Sequence, residues 1–352
     1  MEDTMKAAIL VGPHKLDVRE VPRPQITEPG DVLLKVEKTA ICGTDLHPYE
    51  GRIELESDVI LGHEFLGTVV QTGSAVQQFE EGDRAVASCV VHCGHCRACR
   101  RGDPARCAGS RIFGLGIALG GLDGGQAEYV VVPNADIVMR KLPDEIRSSD
   151  EDLLFAGDIM TTGYEAVRRA IRPGDAVAVV GAGPVGLCAV MAAVALGAEK
   201  VIVVDMVPER LAEAAGFGAI PVNAAETDPY DAVLDLTNWV GADVVVDAVG
   251  HESALATACK IVAAGGTISI PGVYLEDSME LPYGDLWLRG VKLVNGVANI
   301  VNYMDEVIAL TEAGRLAPAR MISHRMPLSE AAAAYELFEQ RQATKILLDP
   351  TQ

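Results

Sequence analysis

The segment before about Asp150 contains short runs of apolar and β-branched residues that lie between glycines and prolines. Such runs predict strands, because branched side chains suit a pleated sheet and glycine or proline interrupts it. The predicted strands are Val32–Val36, Phe65–Gln71, Arg84–Ala87 and Glu128–Val132. Many short strands separated by turn residues predict a small, mostly antiparallel barrel.

The pattern changes after about Asp150, where Val- and Ile-rich strands alternate with Ala-rich helical segments. The alternation begins with strand Val177–Val180, helix Pro184–Leu196, strand Val201–Val204 and helix Pro208–Ala215. It continues with the strands Val244–Asp247, Thr267–Ile270 and Lys292–Val294. This order predicts an α/β domain built on a doubly wound parallel sheet.

The last segment has helical patterns at Met304–Ala313 and Ser329–Glu339 and closes with the apolar run Lys345–Leu348. That run would suit a strand that rejoins the first domain. We therefore predict one domain made of residues 1–154 and 295–352, with a second domain at 155–294.

Charge and composition narrow the possible partners. The 352-residue chain has 50 Asp and Glu against 29 Lys and Arg, a formal charge of −21, which argues against nucleic acid or an anionic membrane as a partner. The uncharged stretch Ala176–Ala198 is long enough to span a bilayer, but its glycines and Pro184 favour a strand, a turn and a buried helix. Four of the eight cysteines crowd together and no signal peptide precedes them, so we expect a cytoplasmic protein.

A glycine-rich turn follows the first strand of the α/β segment and has the pattern G-x-G-x-x-G at Gly181, Gly183 and Gly186. Gly181 permits the tight turn, Gly183 lets the backbone approach a pyrophosphate, and Gly186 permits close packing of helix on strand. The helix then begins with Pro184 and Val185, and its free N–H groups favour a phosphate.

An acidic residue after the next strand bears on the choice of dinucleotide. Asp205 lies 19 residues past Gly186, where a carboxylate accepts hydrogen bonds from the adenosine ribose and would repel a 2′-phosphate. NAD is therefore favoured over NADP, although Arg210 is close enough in sequence to leave NADP open.

Four cysteines with the spacing C-x2-C-x2-C-x7-C occupy the segment 89–112. They are Cys93, Cys96, Cys99 and Cys107. Four thiolates at this spacing can surround one tetrahedral zinc ion and leave no open position, which predicts a structural zinc. An iron–sulfur cluster is the competing interpretation.

A more dispersed group could hold a second metal ion. Its members are Cys42, Thr44, Asp45 and His47, then His63 and Glu64, then Asp158. A mixture of thiolate, imidazole and carboxylate can leave a fourth position open for water or substrate. The spacing alone is weak evidence, because each residue could equally be a buried cysteine, a core histidine or a helix cap.

Several motifs taken together resemble one family. Residues 42–47 (CGTDLH), 62–67 (GHEFLG), the four-cysteine segment, the Gly181 turn, and the endings at 327–331 and 345–348 occur in that family's order along nearly the whole chain. The chain resembles the zinc-containing alcohol dehydrogenases of the medium-chain dehydrogenase family. The resemblance implies a GroES-like β-barrel catalytic domain and a Rossmann domain that binds NAD.

The resemblance also implies roles for individual residues. Cys42, His63 and Asp158 match the ligands of a catalytic zinc, and Glu64 matches an acid that can join or replace a ligand. Asp45 matches the carboxylate that holds the metal-bound histidine, and Thr44 and His47 match a proton relay. Thr162 and Asp158 would lie at the hinge between the domains, where Thr162 would contact the cofactor.

The reaction implied is hydride transfer between NAD and a small, secondary alcohol or polyol, giving a ketone or aldehyde, with two zinc ions per chain. The context of Asp158 resembles secondary-alcohol members, several of which lack the cysteine segment and some of which prefer NADP. Two alternatives stay open: a dismutase of aldehydes with tightly held cofactor, and a non-catalytic NAD-binding protein. The latter would be expected to lack Cys42, His63 or Thr44, and all three are present.

The substrate and the assembly are harder to predict. Tyr49, Phe113, Trp287 and Leu288 could line a substrate pocket or belong to the core. Family members pair through the cofactor domain, so we expect a homo-oligomer, with a tetramer favoured over a dimer. The strand that holds Ile268 and Ile270, followed by residues 271–273, is the predicted pairing edge.

Overall fold

A computed structural model describes residues 3–55, 58–143, 145–276 and 278–352. The chain divides into two compact units, one of residues 1–159 and 299–352 and the other of residues 160–298. Residues 155–159, which the sequence analysis assigns to the second domain, therefore lie in the first unit. The reason is a tight contact: the backbone N–H of Cys89 donates to the Gly157 carbonyl at 2.9 Å, and a Cβ on Gly157 would lie 2.2 Å from the Ala87 carbonyl oxygen.

The first unit is built mainly from antiparallel strands. Its first ten are β1 (Thr4–Gly12), β2 (Lys15–Pro22), β3 (Val32–Ile41), β4 (Val59–Ile60), β5 (Glu64–Thr72), β6 (Arg84–Ala87), β7 (Val90–Val91), β8 (Arg111–Ile112), β9 (Tyr129–Val132) and β10 (Met139–Lys141). Strands β1, β2 and β4 form one antiparallel sheet, and β3 pairs with both β5 and β9. The four strands predicted in this segment are confirmed, whereas β1 and β2 form a hairpin that the sequence analysis did not predict.

The helices of this part are short. They are α1 (Leu46–Tyr49), α2 (Arg97–Arg100), α3 (Ala135–Val138) and α4 (Asp150–Leu154), followed by a 3-10 turn at Phe155–Gly157 and by α5 (Ile159–Arg168), which leads into the second unit. These short elements connect the strands of the first unit.

The second unit contains a six-stranded parallel sheet. Its elements are β11 (Ala176–Val180), α6 (Pro184–Ala195), β12 (Lys200–Asp205), α7 (Pro208–Gly216), β13 (Ile220–Asn223), α8 (Pro229–Leu236), β14 (Ala242–Asp247), α9 (Glu252–Ile261), β15 (Val262–Ile270), α10 (Tyr283–Arg289) and β16 (Lys292–Asn295). The strand order is β13-β12-β11-β14-β15-β16, and every pairing is parallel. The predicted doubly wound sheet is confirmed. Its order reverses between β11 and β14, where such sheets bind ligands.

The chain then returns to the first unit through α11 (Ile300–Glu312), β17 (His324–Pro327), α12 (Ala331–Glu339) and β18 (Ile346–Asp349). Strand β18 pairs antiparallel with β3 and parallel with β17, which extends the large sheet to the order β10-β6-β5-β3-β18-β17. The prediction that the run ending at Leu348 rejoins the first domain as a strand is therefore confirmed.

The predicted pairing edge is wrong. Strand β15, which holds Ile268 and Ile270, lies between β14 and β16, and both side chains are buried. The edge is β16 instead, because the short run Lys292–Asn295 adds one more parallel strand beyond β15. Among the described residues, no helix combines the length and apolarity needed to cross a membrane.

Candidate functional site

Three potential metal ligands converge in the first unit from distant parts of the chain. Cys42 directly follows β3, His63 directly precedes β5, and Asp158 follows the turn that packs on Ala87. Their ligand atoms all lie within 4.8 Å of one another, and Nε2 of His63 is 3.4 Å from Oδ2 of Asp158. Two strands that pair with each other thus bring a thiol and an imidazole to one end of the sheet. Three such donors can hold a metal ion and leave a coordination position open.

Asp45 holds the imidazole of His63 in one orientation. Its Oδ1 lies 3.1 Å from Nδ1 of His63, so that Nε2 points to the other two ligands. Oδ2 of Asp45 accepts hydrogen bonds from the Cys42 backbone N–H at 3.0 Å and from the Gln126 side chain at 3.3 Å. The Tyr335 hydroxyl completes this buried network by donating to Gln126 at 2.9 Å. Metal-bound histidines in proteins usually donate their other ring N–H to such a carboxylate, to a backbone carbonyl or to water.

Glu64 forms a buried ion pair that the sequence analysis did not predict. Nζ of Lys345 lies 2.6 Å from Oε2 of Glu64, and neither side chain has exposed area. Burial lowers the pKa of Lys345, but the charge and hydrogen bond of Glu64, together with the charges of Cys42 and Asp158, outweigh burial and raise that pKa above its ordinary value. The available signal was a lysine at the start of the apolar run Lys345–Leu348, because a cation buried there needs a partner.

Thr44 and His47 lie on the segment that follows Cys42. Thr44 is in a 3-10 turn at Gly43–Asp45, and its hydroxyl lies 3.8 Å from the Cys42 sulfur. His47 is half-buried on α1, and its Nδ1 has no hydrogen-bond partner in the described part of the chain. Burial, reinforced by the positive charge of Arg52, lowers the pKa of His47. A largely neutral imidazole is available there to accept a proton.

Cys89 is a second residue that the sequence analysis missed. It is buried in the connection between β6 and β7, and its thiol donates to Oδ1 of Asp158 at 3.3 Å. Burial raises the pKa of this thiol well above its ordinary value. Nothing in the local sequence distinguishes Cys89 from a core cysteine, since its partner lies 69 residues further along the chain.

The four cysteines of the segment 89–112 form a separate group. Strands β7 and β8 pair across its base, and the sulfur atoms of Cys93, Cys96, Cys99 and Cys107 all lie within 4.8 Å of one another. A backbone N–H of Cys99 lowers the pKa of Cys96 to about 6, while burial raises that of Cys99 to about 12. Crowded thiols resist ionising together unless a cation balances them, so this group suits a metal ion.

The glycine turn of the second unit has two positions at which the backbone requires glycine. Gly181 has a φ of +95°, and a Cβ on Gly186 would lie 1.9 Å from the Gly181 carbonyl oxygen, so neither position accepts a side chain without strain. Space around Gly183 is open, and Pro184 and Val185 begin α6.

Asp205 closes the end of β12 beside this turn. Its Oδ2 accepts the N–H of Ala182 at 2.7 Å, and its Oδ1 accepts the N–H groups of Met206 and Val207. Arg210 lies in the first turn of α7, and Thr162 lies on α5 in the same unit.

The four residues suggested as the lining of a substrate pocket divide into two core residues and two exposed residues. Tyr49 is buried against Tyr335, and Phe113 is buried edge-on against Phe65, so both belong to the core. Trp287 and Leu288 are 73% and 78% exposed on α10.

Two family profiles match the chain. The profile described as "Alcohol dehydrogenase GroES-like domain" matches residues 28–144, and the one described as "Zinc-binding dehydrogenase" matches residues 184–313. The solved alcohol dehydrogenase TADH from Thermus sp. ATN1 is 41% identical, with a TM-score of 0.96 over 98% of this chain and 99% of that chain.

Curated relatives cover the full length as well. A zinc-type alcohol dehydrogenase-like protein, AdhB of Bacillus subtilis, is 36% identical over 98% of this chain and 100% of its own length. The formaldehyde dismutase of Pseudomonas putida is 33% identical over 98% of this chain and 97% of its own. A solved zinc-binding dehydrogenase from Sinorhizobium meliloti, 30% identical with a TM-score of 0.89 over 99% of this chain and 100% of its own, is bound to NADP.

We predict that Lys345→Met strongly destabilises the first unit, because it leaves the carboxylate of Glu64 buried without a counter-charge. Removing one partner of a buried pair costs about 3–5 kcal/mol, which urea denaturation of the purified variant would measure. The double variant Lys345→Met with Glu64→Gln is the matched control and should recover most of the loss. Equal stability of Lys345→Met and the wild type would contradict the assignment of this pair.

Proposed function

The chain belongs to the zinc-containing alcohol dehydrogenases of the medium-chain dehydrogenase family, and from this premise we propose that it oxidises a small secondary alcohol or polyol with NAD. The observation that carries the proposal is the convergence of Cys42, His63 and Asp158 on one buried point. These three donors, unlike the four cysteines, leave room for a substrate oxygen.

We assign the catalytic zinc to this group. One thiolate and one carboxylate would balance the charge of Zn²⁺, and the imidazole of His63 is oriented for it by Asp45. When bound, zinc supplies Lewis-acid polarisation of the substrate oxygen, and the nicotinamide supplies the hydride acceptor. Glu64 is held by Lys345 at 2.6 Å and is therefore an alternate ligand only if that pair opens.

The proton of the substrate hydroxyl is assigned to Thr44 and His47. Thr44 lies next to the Cys42 sulfur, so its hydroxyl can accept a proton close to the metal-binding point while it releases its own proton to the relay. His47 is half-buried with a lowered pKa, so its neutral imidazole can take the proton onward to solvent.

The four cysteines are assigned to a structural zinc, since a complete set of thiolates leaves no open position. We also propose a reducing, cytoplasmic location, in which these cysteines would stay available as thiolate ligands.

For the cofactor we propose NAD, bound by the second unit. The turn of Gly181, Gly183 and Gly186 with the N-terminus of α6 would hold the pyrophosphate. Asp205 would accept hydrogen bonds from the adenosine ribose and repel a 2′-phosphate. Arg210 is the nearby cation that NADP would need, and the NADP-bound relative makes this choice a necessary part of the test.

The first experiment follows NADH absorbance while the purified protein receives NAD with secondary alcohols, polyols such as sorbitol and butanediol, and threonine, and is repeated with NADP. We expect turnover with NAD and about two zinc ions per chain. Asp158→Ala should abolish turnover and lower the zinc content to about one, because only the cysteine group would keep its metal.

Asp235→Ala, which removes an exposed carboxylate on α8, is the matched control and should keep both activity and zinc. Faster reduction of NADP than of NAD would contradict the cofactor assignment. Full zinc content without any turnover across the panel would contradict the proposed reaction and would favour aldehyde dismutation or a non-catalytic role.

The relay predicts a particular pH dependence. Alcohol oxidation should slow as pH falls through the pKa of His47, because the protonated imidazole cannot accept a proton. Burial and Arg52 lower that pKa from 6.5, while Glu50 and Asp45 oppose them. Arg52→Gln removes the cation and frees Glu50, its ion-pair partner, so the acid limb of kcat should move to higher pH.

Arg172→Gln removes an exposed cation in the other unit and should leave the acid limb of kcat at the same pH as in the wild type. His47→Gln should abolish the limb that Arg52→Gln moves. An acid limb that is the same in all these variants would contradict a relay through His47.

We further propose a homo-oligomer, a tetramer rather than a dimer. Leu293 on the edge strand β16 is partly exposed, as are Trp287 and Leu288 on α10, the helix that precedes it in the chain, so a second copy could pair there. A second exposed apolar group, Ile117 with Leu119, lies in the first unit and would supply the further interface that a tetramer needs. Sedimentation velocity should give a tetramer, and Leu293→Lys should give smaller species; a monomeric wild type would contradict the proposal.

A further inference from the structure

Cys89 has no part in the mechanism proposed above, yet it makes two bonds to the segment that carries Asp158. Its backbone N–H donates to the carbonyl of Gly157 at 2.9 Å, and its thiol donates to Oδ1 of Asp158 at 3.3 Å. Its own carbonyl accepts the N–H of Phe113 at 3.3 Å. Cys89 is therefore fixed on both sides, and only 6% of it is exposed.

The two oxygens of the Asp158 carboxylate face different partners. Oδ1 accepts a hydrogen bond from the thiol of Cys89. Oδ2 lies 3.4 Å from Nε2 of His63, and the other ring nitrogen of this histidine contacts Asp45. A carboxylate can otherwise rotate about its bond to Cβ and offer either one or both oxygens to a metal. A donor on one oxygen restricts this choice.

We propose that Cys89 is a positioning residue that holds Asp158 as a ligand through one oxygen, directed at the point shared with Cys42 and His63. This inference rests on the proposed function, since it requires a metal ion at that point. It makes Cys89 a donor to a ligand and not a ligand itself.

The placement of the sulfur favours this role. In the described part of the chain, the group of ligand atoms that are mutually close contains Cys42, His63 and Asp158 and does not include Cys89. A fourth protein ligand would also close the position that the substrate oxygen needs. Partners that orient metal ligands typically change metal affinity about 10- to 100-fold when removed.

The test compares Cys89→Ala with Cys89→Ser in the full-length protein, with Co²⁺ as the probe at the catalytic position and zinc kept in the four-cysteine group. Cys89→Ala should weaken Co²⁺ binding about 10- to 100-fold and change the visible d–d bands of the bound ion. Cys89→Ser keeps a donor and should bind within a few-fold of wild type, with a near-normal spectrum. Cys259→Ala, which removes a buried cysteine of the second unit, should change neither.

Three outcomes would overturn this inference and leave the proposed function standing. Wild-type affinity and spectrum in Cys89→Ala would mean that the thiol does not orient Asp158. Equal weakening in Cys89→Ala and Cys89→Ser would mean that the sulfur only fills space. A large loss of sulfur-to-cobalt charge-transfer absorption in Cys89→Ala would make Cys89 a ligand. A wild-type protein that takes up no metal beyond the four-cysteine group would instead overturn the proposed function, and this inference with it.

Discussion

The burial of ionisable groups at one end of the large sheet is the constraint on which much of the first unit depends. Buried charges are costly unless each has a partner within hydrogen-bonding distance. Glu64 begins β5 with no exposed area, and the cation that balances it is Lys345, close to the C-terminus. The return of the chain as β18 beside β3 therefore completes a core as well as a sheet.

The same requirement explains the network around His63. Asp45 is fully buried, and its two oxygens receive His63, the Cys42 backbone and Gln126, with Tyr335 behind Gln126. The bond to the Cys42 backbone is local, but the contacts of Gln126 with Asp45 and Tyr335 join segments far apart in the chain, so the packing of the unit helps to orient the imidazole. A histidine supported in this way would hold its orientation toward the proposed metal ion.

How much of the structure could be predicted from the sequence depends on how far apart in the chain the interacting residues lie. The glycine turn, the cysteine spacing and the alternation of strands and helices depend on neighbouring residues, and the parallel sheet was predicted from them. Lys345 and Cys89 were missed because their partners, Glu64 and Asp158, are distant in sequence. The edge of the second sheet was assigned wrongly because the order of strands in a sheet depends on which strands pair. The four residues of β16 do not indicate from the sequence that this strand pairs beyond β15.

The two groups of potential metal donors also differ in how far apart their members lie in the sequence. The four cysteines lie within one short segment, so β7, β8 and α2 can bring them together locally. Cys42, His63 and Asp158 come together only when the sheet has assembled. This group also contains a carboxylate in place of a second thiolate, which has a further consequence. A carboxylate has a second oxygen that can accept a hydrogen bond while the first binds a metal, so its orientation can be controlled by a neighbouring donor. As the third ligand proposed above, Asp158 would therefore be open to control by a neighbouring donor in a way that a thiolate, with its single sulfur, would permit less readily.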